Sequence, residues 1–354
     1  MSQTIVVPKP SRPWLPSPRE RATDLGLLLV TFLTSYAIVE FTPMKGKLAY
    51  FFVFFFAFAI YSLIKGTITR DFMNGIDQFF GIVMLLGMTL VIIPTADILY
   101  TVFDRGREGI HSGLLTNDMG LATPSDPITN GGLLHAITGT LILVLVALLI
   151  SLPIGILTAL YLTEIKGGFT RPIRFLVQAM SGVPSIVAGL FILSSFIYPI
   201  TKSYSGLAGS LALTILMIPT IARTAEEVLN LIPNDLREAG VALGGTQWRT
   251  VAMVVVPAAR SGLITAMILG VARIVGETAP ILLVTGGGDT VNLDPTSGSM
   301  GSLPFYIWKS FLIGTEESIT RGWAGLLVLL GLVLILFTLA RFFGTRRIDR
   351  KSVV

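Results

Sequence analysis

Long runs of apolar residues constrain this chain more than any other feature of its sequence. A helix needs ~20 apolar residues to cross the ~30 Å hydrocarbon core of a bilayer. Eight segments approach or reach that length, and the predicted spans are approximately 25–41, 49–64, 79–100, 135–162, 175–198, 206–229, 261–286 and 322–340. The sequence therefore predicts an all-α polytopic membrane protein of about eight spans.

The composition supports this class and excludes several kinds of site. Of the 354 residues, 52% are hydrophobic and 13% are charged, whereas a soluble domain carries roughly 25% charged residues. The chain has no cysteine, which excludes disulfides and thiolate chemistry. Its two histidines, His111 and His135, do not have the spacing of metal ligands. We therefore expect neither a metal nor another cofactor in this chain.

The distribution of Lys and Arg predicts the orientation. Placing the N-terminus in the cytoplasm leaves 17 of the 26 basic residues in cytoplasmic segments, 7 in external segments and 2 inside spans. Cytoplasmic segments of membrane proteins carry an excess of Lys and Arg, so both termini are predicted to be cytoplasmic. The net charge of +5 then reflects topology, and we predict contact with membrane lipid but not with nucleic acid.

The N-terminal part of the chain is predicted to be separate from the rest. Residues 1–24 form a polar cytoplasmic tail, and residues 25–78 form an additional transmembrane hairpin. Its second run is short and holds six phenylalanines between positions 51 and 58, so the two runs could make a tight hairpin in place of two full crossings. Residues 79–345 form the main transmembrane domain, and residues 346–354 form a basic cytoplasmic tail.

The stretch after the sixth apolar run has the pattern of a short cytoplasmic helix at about 235–244. Pro233 ends the preceding span, and Asp235 followed by Glu238 resembles a capping box. Four residues share one face of this helix at helical spacing: Leu236, Ala239, Gly240 and Leu243. The small residues among them permit close approach by another protein.

A glycine corner follows this helix. Gly244 and Gly245 end it, and Thr246 can cap the next helix, which is predicted to stop at Pro257. The pattern therefore predicts an amphipathic helix, a sharp corner and a re-entry helix.

Three ionisable residues are placed inside predicted spans, where a central Arg costs about 2.5–3.5 kcal/mol. Arg273 and Glu277 are four residues apart on one predicted helix and can pair, and Arg223 can reach Glu226 or Glu227. These could be ion pairs that only stabilise the bundle. A guanidinium also presents a planar fork of donors that matches an oxyanion. We favour a pathway for a tetrahedral anion lined by Arg223 and Arg273, with Glu277 as counter-charge.

The cytoplasmic stretch resembles the signature of membrane subunits of ABC importers, which is Glu-Ala-Ala, a Gly, and an Ile-x-Leu-Pro at fixed spacing. The matching positions are Glu238, Ala239, Gly240, Gly244, Val254, Val256 and Pro257. This resemblance implies a type I ABC importer permease core of about six transmembrane helices, to which the N-terminal hairpin is additional. It also implies that Leu236, Glu238, Ala239, Gly240, Leu243 and Gly244 couple the chain to a cytoplasmic ATPase.

A second resemblance indicates the substrate. The run Ala272–Pro280, which reads ARIVGETAP, looks like the hallmark of PstA-type permeases of the phosphate ABC importer, and the runs Pro219–Glu227 and Ser181–Ser185 are also similar. The match covers roughly residues 80–345, and in the last outer loop Ser302 replaces the more usual Asn. The implied partners are a homologous PstC-type permease, two copies of a PstB-type ATPase and a PstS-type phosphate-binding protein. The implied location is the cytoplasmic (inner) membrane of a prokaryote.

Two other functions stay open at this point. A permease for molybdate or sulfate would share the same features, although the PstA-like run favours phosphate. An ion-coupled secondary transporter needs no ATPase, but it would leave the stretch 230–257 unexplained. The sequence has no G-x-x-x-x-G-K-[ST] phosphate loop, so we expect ATP and Mg²⁺ to bind the partner subunit.

Overall fold

A computed structural model describes residues 18–345 of the chain, with side chains for residues 21–342. Within these residues the fold is helical, and the single backbone bridge between Gly286 and Met300 is its one β-type contact. The predicted basic tail 346–354 and the first 17 residues of the predicted polar tail lie outside the described part.

The chain forms helices of very different length in this order. The α-helices are α1 Pro18–Phe41, α2 Lys47–Thr69, α3 Phe72–Gly106, α4 Leu134–Leu160, α5 Thr170–Ser181, α6 Ser185–Ile192, α7 Gly206–Asn230, α8 Asn234–Ala242, α9 Gln247–Thr250, α10 Val256–Val275, α11 Ala279–Val284, α12 Leu303–Ile313 and α13 Glu316–Thr345. Three π-helical segments extend them at Tyr161–Ile165, Leu193–Thr201 and Val251–Val255.

The number of predicted spans is confirmed. Seven helical stretches among the described residues are long and apolar enough to cross a membrane, and the bent pair of α5 and α6 brings the number to eight. Both α1 and α2 belong to this group, with spanning segments of 21 and 23 residues. Their length is therefore that of full crossings, and they also pack on each other as a hairpin.

The fifth predicted span, 175–198, is wrong as a continuous helix. Helix α5 ends at Ser181, α6 begins at Ser185, and the two helical segments meet at an angle of 105°. Pro184 has no N–H to donate and disfavours helical geometry at Val183, so the hydrogen-bond ladder cannot continue through this point.

The seventh predicted span, 261–286, also has different limits. The helix runs from Gln247 to Val275 without interruption, and the π-helical segment Val251–Val255, just before Pro257, carries the chain into α10. Pro257 is therefore not a stop. The helix ends at Gly276, and α11 is a separate short helix, so Arg273 and Glu277 do not share one helix.

The predicted domain limits fall inside helices. Helix α1 begins at Pro18, so the end of the predicted polar tail is helical. Helix α3 begins at Phe72, so the predicted border at 78/79 lies within it. The chain forms two compact units, one up to Leu99 and one from Tyr100.

Small side chains hold the first unit together. Thr31 and Ser35 of α1, and Ala59 and Ser62 of α2, are almost completely buried. Thr31 and Ser35 each donate a hydrogen bond to the carbonyl four residues earlier, which satisfies their hydroxyls inside the helix. Such residues let helix backbones approach closely in a bilayer, where apolar burial gives no net drive to association.

The second unit is built around α4, α7 and α10, which make the most extensive helix contacts of this unit. Their core includes Leu143, Leu213, Met217 and Ile274, each at most 1% exposed. Glycines allow close contact: a Cβ on Gly155 or Gly270 would lie 2.7 Å from a side-chain carbon of Ile221. This packing fixes α7 and α10 side by side, and these are the helices that carry Arg223 and Arg273.

Candidate functional site

Helix α8, the two glycines and α9 form a compact corner, which we call the α8 corner (residues 234–250). Gly244 has a φ of 82°, a conformation that residues with a side chain rarely adopt. The hydroxyl oxygen of Thr246 accepts a hydrogen bond from the backbone N–H of Arg249 at 3.4 Å, which confirms the predicted cap of the next helix. Helix α8 begins at Asn234 without a side-chain cap, so the predicted capping box at Asp235 is not formed.

The predicted docking residues of α8 do not share one environment. Leu236 is 41% exposed and Leu243 is 90% exposed, and Glu238, Ala239 and Gly244 are also exposed. Gly240 instead faces α9, since a Cβ at this position would lie 2.5 Å from the methyl carbon of Thr250. The small residue at 240 therefore serves the internal packing of the corner, and the surface available to a partner is formed by the leucines.

Arg237 fixes the α8 corner to two neighbouring elements. Its Nε and Nη2 donate to the carboxylate of Glu164 at 2.8–3.2 Å. The same guanidinium donates to the carbonyls of Leu229 at 2.9 Å and Ile232 at 2.6 Å, at the end of α7. The last carbonyls of a helix have no partner within it, so this arginine satisfies α7 while it holds α8.

Glu164 lies in the π-helical segment that ends α4, and its side chain is only 6% exposed. Its backbone carbonyl accepts a hydrogen bond from Nε2 of Gln247 in α9 at 2.6 Å. The next residue but one, Lys166, has a positive φ of 50° that turns the chain away. An open groove of about 720 Å³ runs along this junction, with Glu164, Arg237 and Glu238 among its lining residues.

Arg223 and Arg273 lie on adjacent antiparallel helices at different heights. Close approaches of Gly262 to Val228 and of Gly270 to Ile221 set the register of α10 on α7. At a rise of 1.5 Å per residue, this register separates the two Cα positions by on the order of 8 Å along the helix axes. Arg273 is the one farther from the α8 corner.

The two arginines differ in their partners. Arg273 donates through Nη1 to Oε1 of Glu277 at 2.5 Å, so the predicted pair is confirmed although a helix end separates the two residues. Arg223 is exposed and makes no ion pair within the described residues. The predicted contact of Arg223 with Glu226 is wrong, because Glu226 pairs with Arg174 of α5 at 2.7 Å.

Both guanidinium groups are directed out of the core of this chain. The side chain of Arg273 is 48% exposed and that of Glu277 is 13% exposed. A cavity of about 330 Å³ between α4, α10 and α13 is lined only by apolar residues, so it offers an anion no side-chain donor. This cavity therefore does not bring either guanidinium into the core of the chain.

The short helices α6 and α11, which follow the two helix breaks of the second unit, pack directly on each other. A Cβ on Gly189 of α6 would lie 2.8 Å from Cα and 2.9 Å from the carbonyl oxygen of Pro280 in α11. The break at Gly182–Pro184 and the break at Gly276–Thr278 are thereby joined through the helices that follow them. This contact lies directly after Arg273 and Glu277 in the chain and supports their position.

The opposite end of the second unit, which we call the loop end, consists of residues 107–133 and 285–302. Arg321 is 5% exposed and donates to the backbone carbonyls of Thr123, Asp126, Pro127 and Asn130 at 2.8–3.2 Å. A hydrogen bond from the N–H of Thr123 lowers the pKa of Asp126.

The two segments of the loop end are also tied to each other. The N–H of Met119 donates to the carbonyl of Asp289 at 2.9 Å, and the N–H of Val291 donates to Asp118 at 3.2 Å. Hydroxyls of Ser297 and Thr296 donate to Asp294, and they lower the pKa of its carboxyl to about 2.

Arg237, Glu164 and Arg321 are the functional candidates that sequence reasoning missed. Arg237 entered the sequence argument only as a positive charge that marks the cytoplasmic side. One signal was available: Glu164 is an acid in a segment otherwise rich in Lys and Arg, which is typical of a carboxylate with a specific basic partner. The pairing of Arg237 with Glu164 joins residues 73 positions apart, so no local sequence pattern predicts it. The same is true of the contacts between Arg321 and the loop carbonyls.

The fold and these sites define a helical membrane protein of several spans with an exposed corner at residues 234–250. Residues 151–352 match the family described as "Binding-protein-dependent transport system inner membrane component". The "Phosphate transport system permease protein PstA 1" of Mycobacterium tuberculosis (strain CDC 1551 / Oshkosh) is 35% identical over 286 residues, which cover 79% of this chain and 92% of that protein. The PstA permease of Mycobacterium leprae is 42% identical over 61% of this chain and 73% of that protein.

A solved structure is also similar, the inward-facing MetNI methionine ABC transporter. It is 24% identical over 60% of this chain and 90% of the matched chain, with a TM-score of 0.46. The chain belongs to the binding-protein-dependent transport permeases of ABC importers, and within that family to the PstA-type permeases. The resemblance seen in the sequence is thereby confirmed.

Proposed function

We propose that this chain is the PstA-type half of the membrane pathway of an ATP-driven importer for inorganic phosphate. The observation that carries the proposal is the pair of exposed guanidinium groups on α7 and α10, one of which has no acidic partner among residues 21–342. Relatives named as phosphate permeases support the same substrate. A planar guanidinium donates two parallel hydrogen bonds to a tetrahedral oxyanion, and it stays charged at every physiological pH.

The order of contacts follows from the stagger of the two arginines. Phosphate released at the loop end meets Arg273 first, where it competes with Glu277 for the guanidinium. It then reaches Arg223, which lies nearer the α8 corner and has no competing carboxylate. The affinity for phosphate is weak at both arginines, because the anion has to leave each of them in turn.

The partners complete what this chain lacks. A homologous PstC-type permease faces α7 and α10 and closes the pathway around the two arginines. A PstS-type binding protein delivers phosphate to the loop end, and both termini are in the cytoplasm of a prokaryotic cell. Two PstB-type ATPases bind ATP and Mg²⁺, and one of them docks on the exposed leucines of the α8 corner, with Glu238, Ala239 and Gly244 beside them.

Uptake of radiolabelled phosphate into proteoliposomes that hold the complete importer tests this proposal. We expect Arg273→Gln to lower ATP-dependent uptake by about 30-fold or more, because one charge-assisted contact to the anion is lost. Arg70→Gln is the matched control, since Arg70 is an exposed arginine of the first unit, to which the proposal gives no part in binding or docking. Wild-type uptake by Arg273→Gln would remove this arginine from the pathway.

Competing anions and the energy source separate the remaining alternatives. Uptake of sulfate or molybdate that excess phosphate does not inhibit would assign another oxyanion. Uptake that an ion gradient drives without ATP would indicate a secondary transporter.

A further inference from the structure

Arg237 and Glu164 form a junction between three helices at the base of the permease. Arg237 belongs to α8, Glu164 belongs to the segment that ends α4, and the two carbonyl acceptors belong to the end of α7. Every nitrogen of the guanidinium is used in these contacts. If α8 moved while α4 and α7 stayed in place, several charge-assisted hydrogen bonds would break. Such bonds are stronger than hydrogen bonds between neutral groups.

The ion pair of the junction is largely buried, although it borders an open groove. The side chain of Glu164 is 6% exposed and that of Arg237 is 21% exposed, whereas the exposed pair Arg107–Asp104 has values of 62% and 41%. Ion pairs open to solvent contribute little, while breaking a buried pair leaves an uncompensated charge. Breaking the Arg237–Glu164 pair is therefore expected to cost more than breaking an exposed pair such as Arg107–Asp104.

Two π-helical segments border the same junction. Tyr161–Ile165 carries Glu164, and Val251–Val255 follows α9 directly and packs against α8. A π-helical turn is wider than an α-helical turn and is found mostly at functional sites, where the regular ladder has to adjust. The helix ends next to Arg237 can thus change their hydrogen bonding without unfolding the spans.

The face of α8 that carries the junction is not the face that is open to a partner. Leu236 and Leu243 of the corner are 41% and 90% exposed. Arg237 instead points inward to Glu164, and Val241, one turn later, lines the groove at the same junction. Removing the junction therefore leaves the exposed apolar surface of the corner intact.

From these observations we propose that the Arg237–Glu164 pair is the positioning element that transmits displacement of α8 to α4 and α7, and so to Arg223. The inference rests on the proposed function, because it assumes an ATPase that moves α8. Neither residue contacts the transported anion or nucleotide. Their role is to make the α8 corner and the two spans move as one body.

The test is the number of phosphate ions transported per ATP hydrolysed by the complete importer in proteoliposomes. We expect Glu164→Gln to lower this ratio about tenfold, in the range of coupling lost through single substitutions between distant sites. ATPase co-purification should not change, because the docking surface is intact. Arg237→Lys should give an intermediate ratio, since a lysine keeps the charge but cannot serve the carboxylate and two carbonyls together. Arg70→Gln, at an exposed arginine of the first unit, is the control and should keep the wild-type ratio.

Each remaining outcome decides the question. A wild-type ratio in both Glu164→Gln and Arg237→Lys overturns the inference. Loss of ATPase co-purification from a folded Glu164→Gln permease also overturns it, because the pair would then serve docking and not transmission. A wild-type importer that transports another oxyanion contradicts the proposed function alone, and the same ratio is then measured with that anion.

Discussion

Replacing Gly189 by Ala tests how the two helix breaks are held together. The new Cβ would lie 2.8 Å from Cα and 2.9 Å from the carbonyl oxygen of Pro280, and both are backbone atoms that no rotamer change can move. Ordinary contact begins at about 3.4 Å, so α6 and α11 have to separate by at least about 0.6 Å. Overpacking of this kind costs about 1–3 kcal/mol.

A second substitution isolates this cost from helix propensity. Ala is favoured over Gly inside a helix by about 1 kcal/mol, which partly hides the clash in Gly189→Ala. Gly331 of α13 is the matched control, because a Cβ there would have no neighbour within 4 Å. The difference in stability between Gly331→Ala and Gly189→Ala should therefore equal the overpacking cost alone.

Thermal unfolding of the two purified variants in the same detergent measures this difference. At roughly 2–4 °C per kcal/mol for a unit of this size, we expect Gly189→Ala to melt several degrees below Gly331→Ala. Equal melting temperatures, or a higher value for Gly189→Ala, would refute the close approach of α6 and α11.

Three further predictions concern the α8 corner and the loop end. Leu243→Asp should lower ATPase co-purification at least tenfold, because it places a charge in an apolar contact. Leu121→Asp is the control, at a fully exposed leucine of the loop end, and should have no effect. Equal losses in the two variants would contradict the docking surface. Gly240→Ala should destabilise the permease by about 1–3 kcal/mol in thermal unfolding, and Thr250→Ala in the same chain should restore stability, because the methyl carbon 2.5 Å from the new Cβ is removed. Because the pKa of Asp294 is lowered from 3.8 to about 2, the contribution of its carboxylate to loop stability is complete above about pH 4 and is lost as pH falls through about 2. Hydrogen exchange of residues 292–299, corrected for intrinsic rates, should show this loss. Asp294→Asn should remove the pH dependence.

The number and approximate place of the spans could be predicted because apolar runs of membrane length are a local property. The 105° break in the fifth run could not be predicted from hydropathy, since an average over a window of membrane length does not resolve the short Ser181–Ser185 segment from the apolar run after it. The end of α10 at Gly276 was missed for the same reason. In both places a run of apolar residues fixes the environment of a segment but not the continuity of its hydrogen bonds.

The candidate site was predictable to the extent that it is coded locally. Arg273 and Glu277 were expected to pair from their spacing, and they do. The partner of Glu226 could not be predicted, because it is set by the angle at which α5 leaves the bend. The inward direction of Gly240 depends on the sharpness of the glycine corner, which brings Thr250 over α8. Packing between elements distant in the chain decides these contacts.

If phosphate passes Arg223 and Arg273 as proposed, the register of α10 on α7 has a consequence for the speed of that passage. Two fixed cations at the same depth would hold a multivalent anion in one deep energy minimum, and escape from it would limit turnover. Cations offset by on the order of 8 Å give two shallow minima, so that leaving one position is compensated by arriving at the next. Two offset arginines of this kind attract the anion throughout its passage without holding it in one deep minimum.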